Sequence, residues 1–481
     1  MKRNIVVIRL LICSLCLIGV SFNAHAQFGN LGSKLKKAKE AVEKVQDAVD
    51  KGQGTVAKGH EPKGFSTILY VTQENGSARG EGTLEKPLKD VQKAIDKATD
   101  GTLIRIAQGN YLGTMDCGCL KIKDKYVSLE GGWNDDFTER DVNKYVTKIQ
   151  PGPDQLGTIS MALLQIETAG QRNRSLIIDG ITFDMGNALI YAPATDDPRN
   201  GWPEGCETGR MMPVGQGNPS VRLLYAKVEG NFIVRNCLFA NASCYGMLLS
   251  NKGGAWEIYN NVLVSNLYAG VEINGALNQD THAHESTVDF HHNTILFSWA
   301  RTKAFEDMGY GYRFRNGVDH SLHHNIFGCS SLGAIDNCWF DNTLPEPKRK
   351  ICDAEDNLFF MNKGDMILPA AGKWLYVPAK RFDEVETIRK YERNKELPQG
   401  SKILELLDQD YLKGFASIKV MEESHYDANS AANQLRSAFG LNQVGTEFVR
   451  PSMFGNRYNV EKARTLFGAE ADYGAQTFKA D

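Results

Sequence analysis

The densest run of chemically capable side chains is HHNTILFSWARTKAFEDMGYGYRFRNGVDHSLHHN, His291–Asn325. It holds five of the chain's ten histidines, three arginines, one lysine and three acids. This mix suits scission of a uronic-acid polymer by β-elimination. That reaction needs a cation at the sugar carboxylate, a base for the C5 proton and a proton donor for the departing oxygen. Arg313 and Arg315 offer planar donors that grip a carboxylate through two parallel hydrogen bonds. Lys303 or His291 serves as the base if neighbouring cations lower its pKa. Tyr310 or Tyr312 donates the proton or stacks on a sugar ring, and Glu272, Asp307 and His323 are the remaining candidate substrate contacts. The competing reading is a decorated surface, with histidines in a solvated ladder and Arg beside Glu as a surface ion pair worth little.

What positions these residues is a repeat. Asn261, Asn293, Asn325 and Asn357 follow one another at intervals of 32 residues, and Asn236 precedes Asn261 by 25. Three residues before each stand Ile233, Ile258, Phe290, Leu322 and Ala354, all apolar. Two before stand Val234, Tyr259, His291, His323 and Glu355, mostly polar. That is strand alternation with a constant inward face. Asn tolerates the left-handed backbone of a tight corner. Identical amides stacked about 4.8 Å apart bond to one another as a ladder. The five Asn residues are therefore structural and are expected in one corner column. By the same alternation His291 and His323 point outward from one sheet on neighbouring coils. With Phe314 inward, Arg313 and Arg315 face out of the next sheet, as Glu272 does between Val271 and Ile273.

A minimal coil needs roughly 20–25 residues, so the longer periods carry inserts, which in solenoids gather on one face and often form the binding face. They are expected at Ala276–Thr287, Trp299–Gly309 (carrying Lys303, Glu306 and Asp307), Asp341–Lys350 and, the largest, Ala192–Pro219.

From Gly64 the passage TILYVTQENGSARGEGTLEKPLKDVQKAIDKATDGTLIRIAQGNYLG reads strand, Gly-rich loop, helix, strand, turn. Pro87 suits a first helical turn, Leu88, Val91, Ile95 and Ala98 make an apolar face, and Gly101 stops it. This passage resembles the entry segment of secreted right-handed parallel β-helix proteins of the pectin-lyase-like superfamily, in which such a helix caps the first coil. LEGGWNDDFTERD at Leu129–Asp141 resembles a loop common in those chains. The resemblance spans roughly residues 66–362 and identifies architecture better than activity. It implies an all-β solenoid, a right-handed parallel β-helix over 65–362, with an N-terminal capping helix and a mixed C-terminal cap over 363–481. It also implies a polysaccharide lyase or hydrolase. The sequence departs from the known motifs, however. Only VDH at Val318–His320 echoes the WIDH strand of pectate lyases, and their RxPxxR segment is absent. Of the NTD, DD, GHG and RIK blocks of polygalacturonase-like hydrolases, only DD occurs, at Asp135–Asp136 and Asp196–Asp197. Many related lyases use calcium; Asp336, Asp353, Glu355 and Asp356 are oxygen ligands in neighbouring corners, but no spacing marks a site.

The chain opens as an export signal over 1–26: Lys2, Arg3 and Arg9, an apolar Leu10–Val20, and AHA before Gln27. Removing those three cations lowers the formal net charge of −3 by three, to −6. No basic stripe suggests nucleic acid. Residues 27–64 form an amphipathic helix and linker, with Leu35, Ala38, Val42, Val45 and Val49 on one face. It reads as an exposed, dispensable stalk, with contact to a membrane surface through the Lys face of 34–51 as the alternative. Among the cysteines beyond the signal, Cys237 and Cys244 are the nearest candidates for a disulfide around a turn. CGC at Cys117 and Cys119 lacks the second ligand pair of a zinc site. The sequence thus describes an exported β-helix whose partner is a polysaccharide, most simply a lyase of uronate-containing glycans. A non-catalytic glycan-binding or adhesin-like protein and a glycoside hydrolase are the alternatives. Oligomeric state and cofactor, calcium included, are left open.

Overall fold

The computed structural model describes residues 64–112, 120–151, 162–186, 190–193, 209–212, 221–275, 286–299, 309–336, 350–362, 364–370, 373–416, 437 and 457–480. The alternating apolar residues wind into three long sheets. Sheet A has ten strands from Thr67–Val71 to Ile388–Lys390. Sheet B has nine from Gly109–Leu112 to Lys395–Glu396. Sheet C has nine, from Leu120–Lys123 to Gly364–Ala370 and the edge strand Lys373–Val377. The chain visits A, B and C in turn: Asn231–Arg235, Leu238–Ala240 and Tyr245–Asn251 are followed by Gly254–Tyr259, which pairs in parallel with the first. All pairs in the three sheets are parallel except the closing hairpin of Gly364–Ala370 with Lys373–Val377. A separate antiparallel pair joins Ile190–Pro193 to Gly209–Met212. This is the expected right-handed parallel β-helix.

Parallel strands a coil apart place like residues over like, so the core is stacked in columns. Phe183 lies parallel to Phe239 with ring centroids 5.0 Å apart, and Phe327 on Phe359 at 5.5 Å. The helix Val91–Lys97 starts where Asp90 accepts the Lys93 N–H at 2.8 Å, and it buries Val91, Ala94 and Ile95. Its Gln92 bonds both backbone groups of Lys121, donating to the carbonyl at 3.1 Å and accepting the N–H at 2.8 Å. The free edge of sheet C is thereby satisfied.

The Asn ladder is present and corrects its own register. Asn261, Asn293 and Asn325 each donate Nδ2 to the Oδ1 of the next, at 3.0, 3.1 and 3.0 Å, ending on Asn357. The column continues to Asn394 at 3.2 Å, a rung displaced from the 32-residue interval by a 37-residue separation. Asn236 is not in it. Cys237 occupies that rung, its N–H donating to Asn261 Oδ1 at 3.0 Å, so the short coil is 24 residues and not 25. Asn236 instead bonds Asn260, which donates to it at 2.6 Å. The left-handed backbone also belongs to this neighbouring column, Asn236, Asn260, His292, His324 and Asp356, with φ between 52° and 56°. The corner thus uses two residues: one turns the chain, and the next supplies the amide that satisfies buried backbone groups. Cys237 and Cys244 are both free thiols, so the expected Cys237–Cys244 disulfide is not formed, and burial pushes the Cys237 thiol up to about 12.

Residues 457–480 belong to the region expected as the C-terminal cap. They run along the outer face of sheet B, where the Tyr458 N–H donates to Asn241 Oδ1 at 2.9 Å and the Ala475 N–H to Thr294 Oγ1 at 2.9 Å. Arg464 reaches Thr182 Oγ1 at 3.1 Å. Strands Leu238–Ala240, Val262–Val264 and Thr294–Leu296 are buried at every residue, which a sheet with one wet face does not show. The signal, the 34–51 helix, Cys117, Cys119 and nearly all of the four inserts lie outside the described residues.

Candidate functional site

The fold divides the expected constellation. Phe290 and Tyr312 meet across the core with ring centroids 4.7 Å apart, so the strands Ser286–His291 of sheet A and Tyr310–Phe314 of sheet C face each other. Their outward neighbours, His291 and Arg313, therefore leave the solenoid on opposite sides. One substrate atom cannot touch both. Lys303 and Asp307 lie outside the described residues. Tyr312 is a core residue: it is fully buried, its hydroxyl meets His320 Nδ1 at 2.8 Å, and burial holds its pKa well above the ordinary value. It is placed neither to protonate a sugar nor to stack on one. Tyr310 is also buried, but it turns to the outer side, where the Arg313 guanidinium lies 4.7 Å above its ring.

Around Arg313 the outer face of sheet C is built from strand register. Leu248, Glu272, Arg313 and Asp336 stand opposite one another on four successive coils. Arg313 Nε donates to Asp336 Oδ2 at 2.8 Å, its Nη1 lies 3.3 Å from Glu272 Oε2, and Arg315 Nε lies 2.7 Å from Glu272 Oε1. Side-chain exposures are 5% for Glu272, 3% for Arg313 and 1% for Asp336, against 31% for Arg315. Burial disfavours the Arg313 charge, but Asp336 and Glu272 outweigh it and raise its pKa above the ordinary value. Two acids and two guanidiniums make the row neutral. Even so, Arg313 Nη2 is buried without a hydrogen-bond partner among the described residues. Beside the row is a patch of aromatic rings outside the main core: Tyr245 stacks on Tyr268 at 5.5 Å, and Tyr310 packs with Leu332 and Ile367.

Asp336 enters the sequence reading only as an oxygen ligand for calcium, not as a partner of Arg313. A signal for the pairing exists: Asp336 stands 11 residues after Asn325, as Glu272 stands 11 after Asn261. The other acids in that group are each held by a cation. Asp353 accepts from Arg389 at 2.8 Å, and Arg393 bridges Glu355 at 3.1 Å and Asp356 at 2.7 Å.

On sheet A, His291 stacks between Tyr259 and His323, each at 5.0 Å and within 8° of parallel. His292 stacks on His324 at 5.0 Å in the adjacent corner column. The expected outward histidine ladder is therefore present and doubled.

No protein-family model matches the chain, and no curated protein does. Among solved structures, XylC in complex with xylose is similar at 11% identity and a TM-score of 0.35, over 63% of this chain and 63% of that one, so this chain spans less than two thirds of it. The pectin methylesterase from Aspergillus niger is similar at 11% identity and 0.31, over 79% and 98%. Pectate lyase Pel9A is similar at 11% identity and 0.32, over 64% and 77%. With strands of sheets A, B and C wound in that order through successive coils, the chain has a right-handed parallel β-helix fold.

Proposed function

We propose that the protein is an exported carbohydrate-active enzyme that holds a polysaccharide against the outer face of sheet C and cleaves it there. One observation carries this reading. In a buried, charge-balanced row, a donor on Arg313 is left over among the described residues. A sugar hydroxyl accepts as well as donates, so it answers that donor, and the neighbouring tyrosines suit a sugar's apolar face. Glu272 and Asp336 stand on the coils either side of Arg313, a backbone separation of about 10 Å at the usual strand spacing. Side chains leaning inward from that separation reach the roughly 6.5–9.5 Å gap at which paired carboxyls flank a glycosidic bond and its attacking water. This favours hydrolysis.

Elimination from a uronate-containing glycan is the second reading, and Arg315 favours it. Its guanidinium is the more exposed of the two and suits a sugar carboxylate, whereas Arg313 is already neutralised by two acids. Lys303 then takes the proton, and His291, on the far side, takes no part. The test is incubation with pectic, alginate, glycosaminoglycan and neutral polymers. New reducing ends without ultraviolet absorbance mean hydrolysis; the absorbance of an unsaturated product means elimination. Under hydrolysis Glu272→Gln and Asp336→Asn each lower turnover about 10²–10⁴-fold while binding persists. Under elimination Lys303→Ala does so instead. Tight binding to a polymer without cleavage of any kind leaves the adhesin-like reading standing. Turnover untouched by substitutions at 272, 313, 315 and 336 removes sheet C from the mechanism.

A further inference from the structure

The doubled histidine column on sheet A, opposite the glycan face, has a geometry that a solvated ladder does not require. His291 Nδ1 lies 2.9 Å from His292 Nδ1, and one coil on His323 Nδ1 lies 3.0 Å from His324 Nδ1. Two lone pairs do not face each other at that distance, so each pair shares one proton. The far nitrogens are engaged as well: His323 Nε2 meets Asp289 Oδ1 at 2.8 Å, and His291 Nε2 meets Glu257 Oε1 at 3.3 Å. A carboxylate at Nε2 keeps the N–H there and turns Nδ1 into the lone-pair nitrogen. This is the outer-shell arrangement that fixes the tautomer of a metal-binding imidazole.

We propose that the His291–His292 and His323–His324 pairs are chelating sites for a divalent d-block cation of tetragonal preference, copper(II) or nickel(II). Two bonds of about 2.0–2.1 Å at a right angle place their nitrogens about 2.9 Å apart, which is the spacing of both pairs. A tetrahedral zinc angle requires about 3.3 Å and fits less well. Each ion displaces the shared Nδ1 proton to solvent. The lone pairs turn from each other to a common point by rotation about the imidazole χ2, a broad torsion. The described residues hold no group of three or more metal-ligating side chains, so two imidazoles per ion are the protein's contribution and water completes the shell. The His291 and His323 side chains are partly exposed, at 16% and 28%.

The test is competition of the purified, tag-free protein against a chromophoric chelator for copper(II), nickel(II) and zinc(II). The comparison is with the double substitution His292→Asn and His324→Asn. Asn already occupies that left-handed corner position at 236 and 260, so the substitution suits the fold. The wild type is expected to bind copper most tightly, with nitrogen hyperfine structure in its electron paramagnetic spectrum, and the double variant to lose both. Asp289→Asn, at a half-exposed carboxylate, is expected to weaken binding about 10–100-fold and serves alone if the double variant misfolds. Metal held by His60, His282 or His284 elsewhere in the chain survives the double substitution. Equal affinity of wild type and double variant overturns the proposal, as does an Asp289→Asn affinity equal to wild type.

Discussion

Replacing Arg313 with Met tests whether the acid–guanidinium–acid row is a real electrostatic unit. Met keeps most of the length and removes the charge, which leaves Asp336 and Glu272 buried opposite an apolar chain. Deleting one partner of a buried ion pair costs about 3–5 kcal/mol. Glu272 retains Arg315 at 2.7 Å, so the expected loss lies at the low end, about 3 kcal/mol. Urea denaturation reads it as a fall in midpoint at unchanged slope. A further measurement separates charge from packing. The neutral triple replacement Glu272→Gln, Arg313→Met and Asp336→Asn removes the stranded charges and is expected to recover to within about 1 kcal/mol of wild type. A single-variant loss below about 1 kcal/mol, or a triple variant no more stable than the single, refutes the reasoning.

Two other substitutions probe the frame. Asn293→Ala strips Asn261 of the acceptor for both its N–H and its Nδ2, at 3.1 and 3.0 Å, and takes a donor from the Ile258 carbonyl; about 2–5 kcal/mol should be lost, read as melting temperature and denaturant midpoint. At the last coil, burial raises the Asp365 carboxyl to about 6, against a 2.8 Å donation from the Ala379 N–H and a weaker one from Asn362. Because the folded pKa is above the ordinary one, this group's stabilisation is complete below pH 3.8 and is lost as pH rises through about 6. Asp365→Asn should therefore stabilise at pH 8 by about 1–2 kcal/mol, allowing for partial solvent contact, and give no gain at pH 4 in the same denaturation assay.

How much of this was legible in the sequence follows from what repeats. Strand alternation and the 32-residue interval are periodic, so the three sheets, the ladder and the outward direction of Arg313, Arg315 and Glu272 could be read directly. The ladder's start could not, because Asn236 and Cys237 are adjacent and the amide falls on the wrong one. Nor could the division of the site. Alternation says whether a side chain points in or out of its own sheet. Only the pairing of Phe290 with Tyr312 across the core shows that two sheets point outward in opposite directions. The burial of Tyr312, by contrast, was legible. With Phe314 inward, alternation already turns Tyr312 inward, while the corner before the strand swings Tyr310, of the same parity, to the outer side.

The corners explain why the non-repeating chemistry gathers on sheet C. On five successive coils the chain crosses from sheet A to sheet B in two residues: strands ending at Arg235, Tyr259, His291, His323 and Glu355 are followed by strands beginning at Leu238, Val262, Thr294, Ile326 and Leu358. On the coils of Asn261, Asn293, Asn325 and Asn357 this length sets the amide on its rung, where it satisfies buried backbone groups. Connections that enter or leave sheet C carry no such constraint. Phe239 and Leu263 are joined to their sheet-C strands by short turns, whereas the strand ending at Leu296 reaches Tyr310 only after 13 intervening residues. The strand ending at Gly275 reaches Ser286 after ten, and that ending at Asp336 reaches Cys352 after 15. Sheet C is also where the stacking of like on like breaks down, Leu248 giving way to Glu272, Arg313 and Asp336 on successive coils. A site that must recognise one sugar at one position needs that break. A ladder of identical side chains presents the same groups every 4.8 Å or so and distinguishes no position from the next.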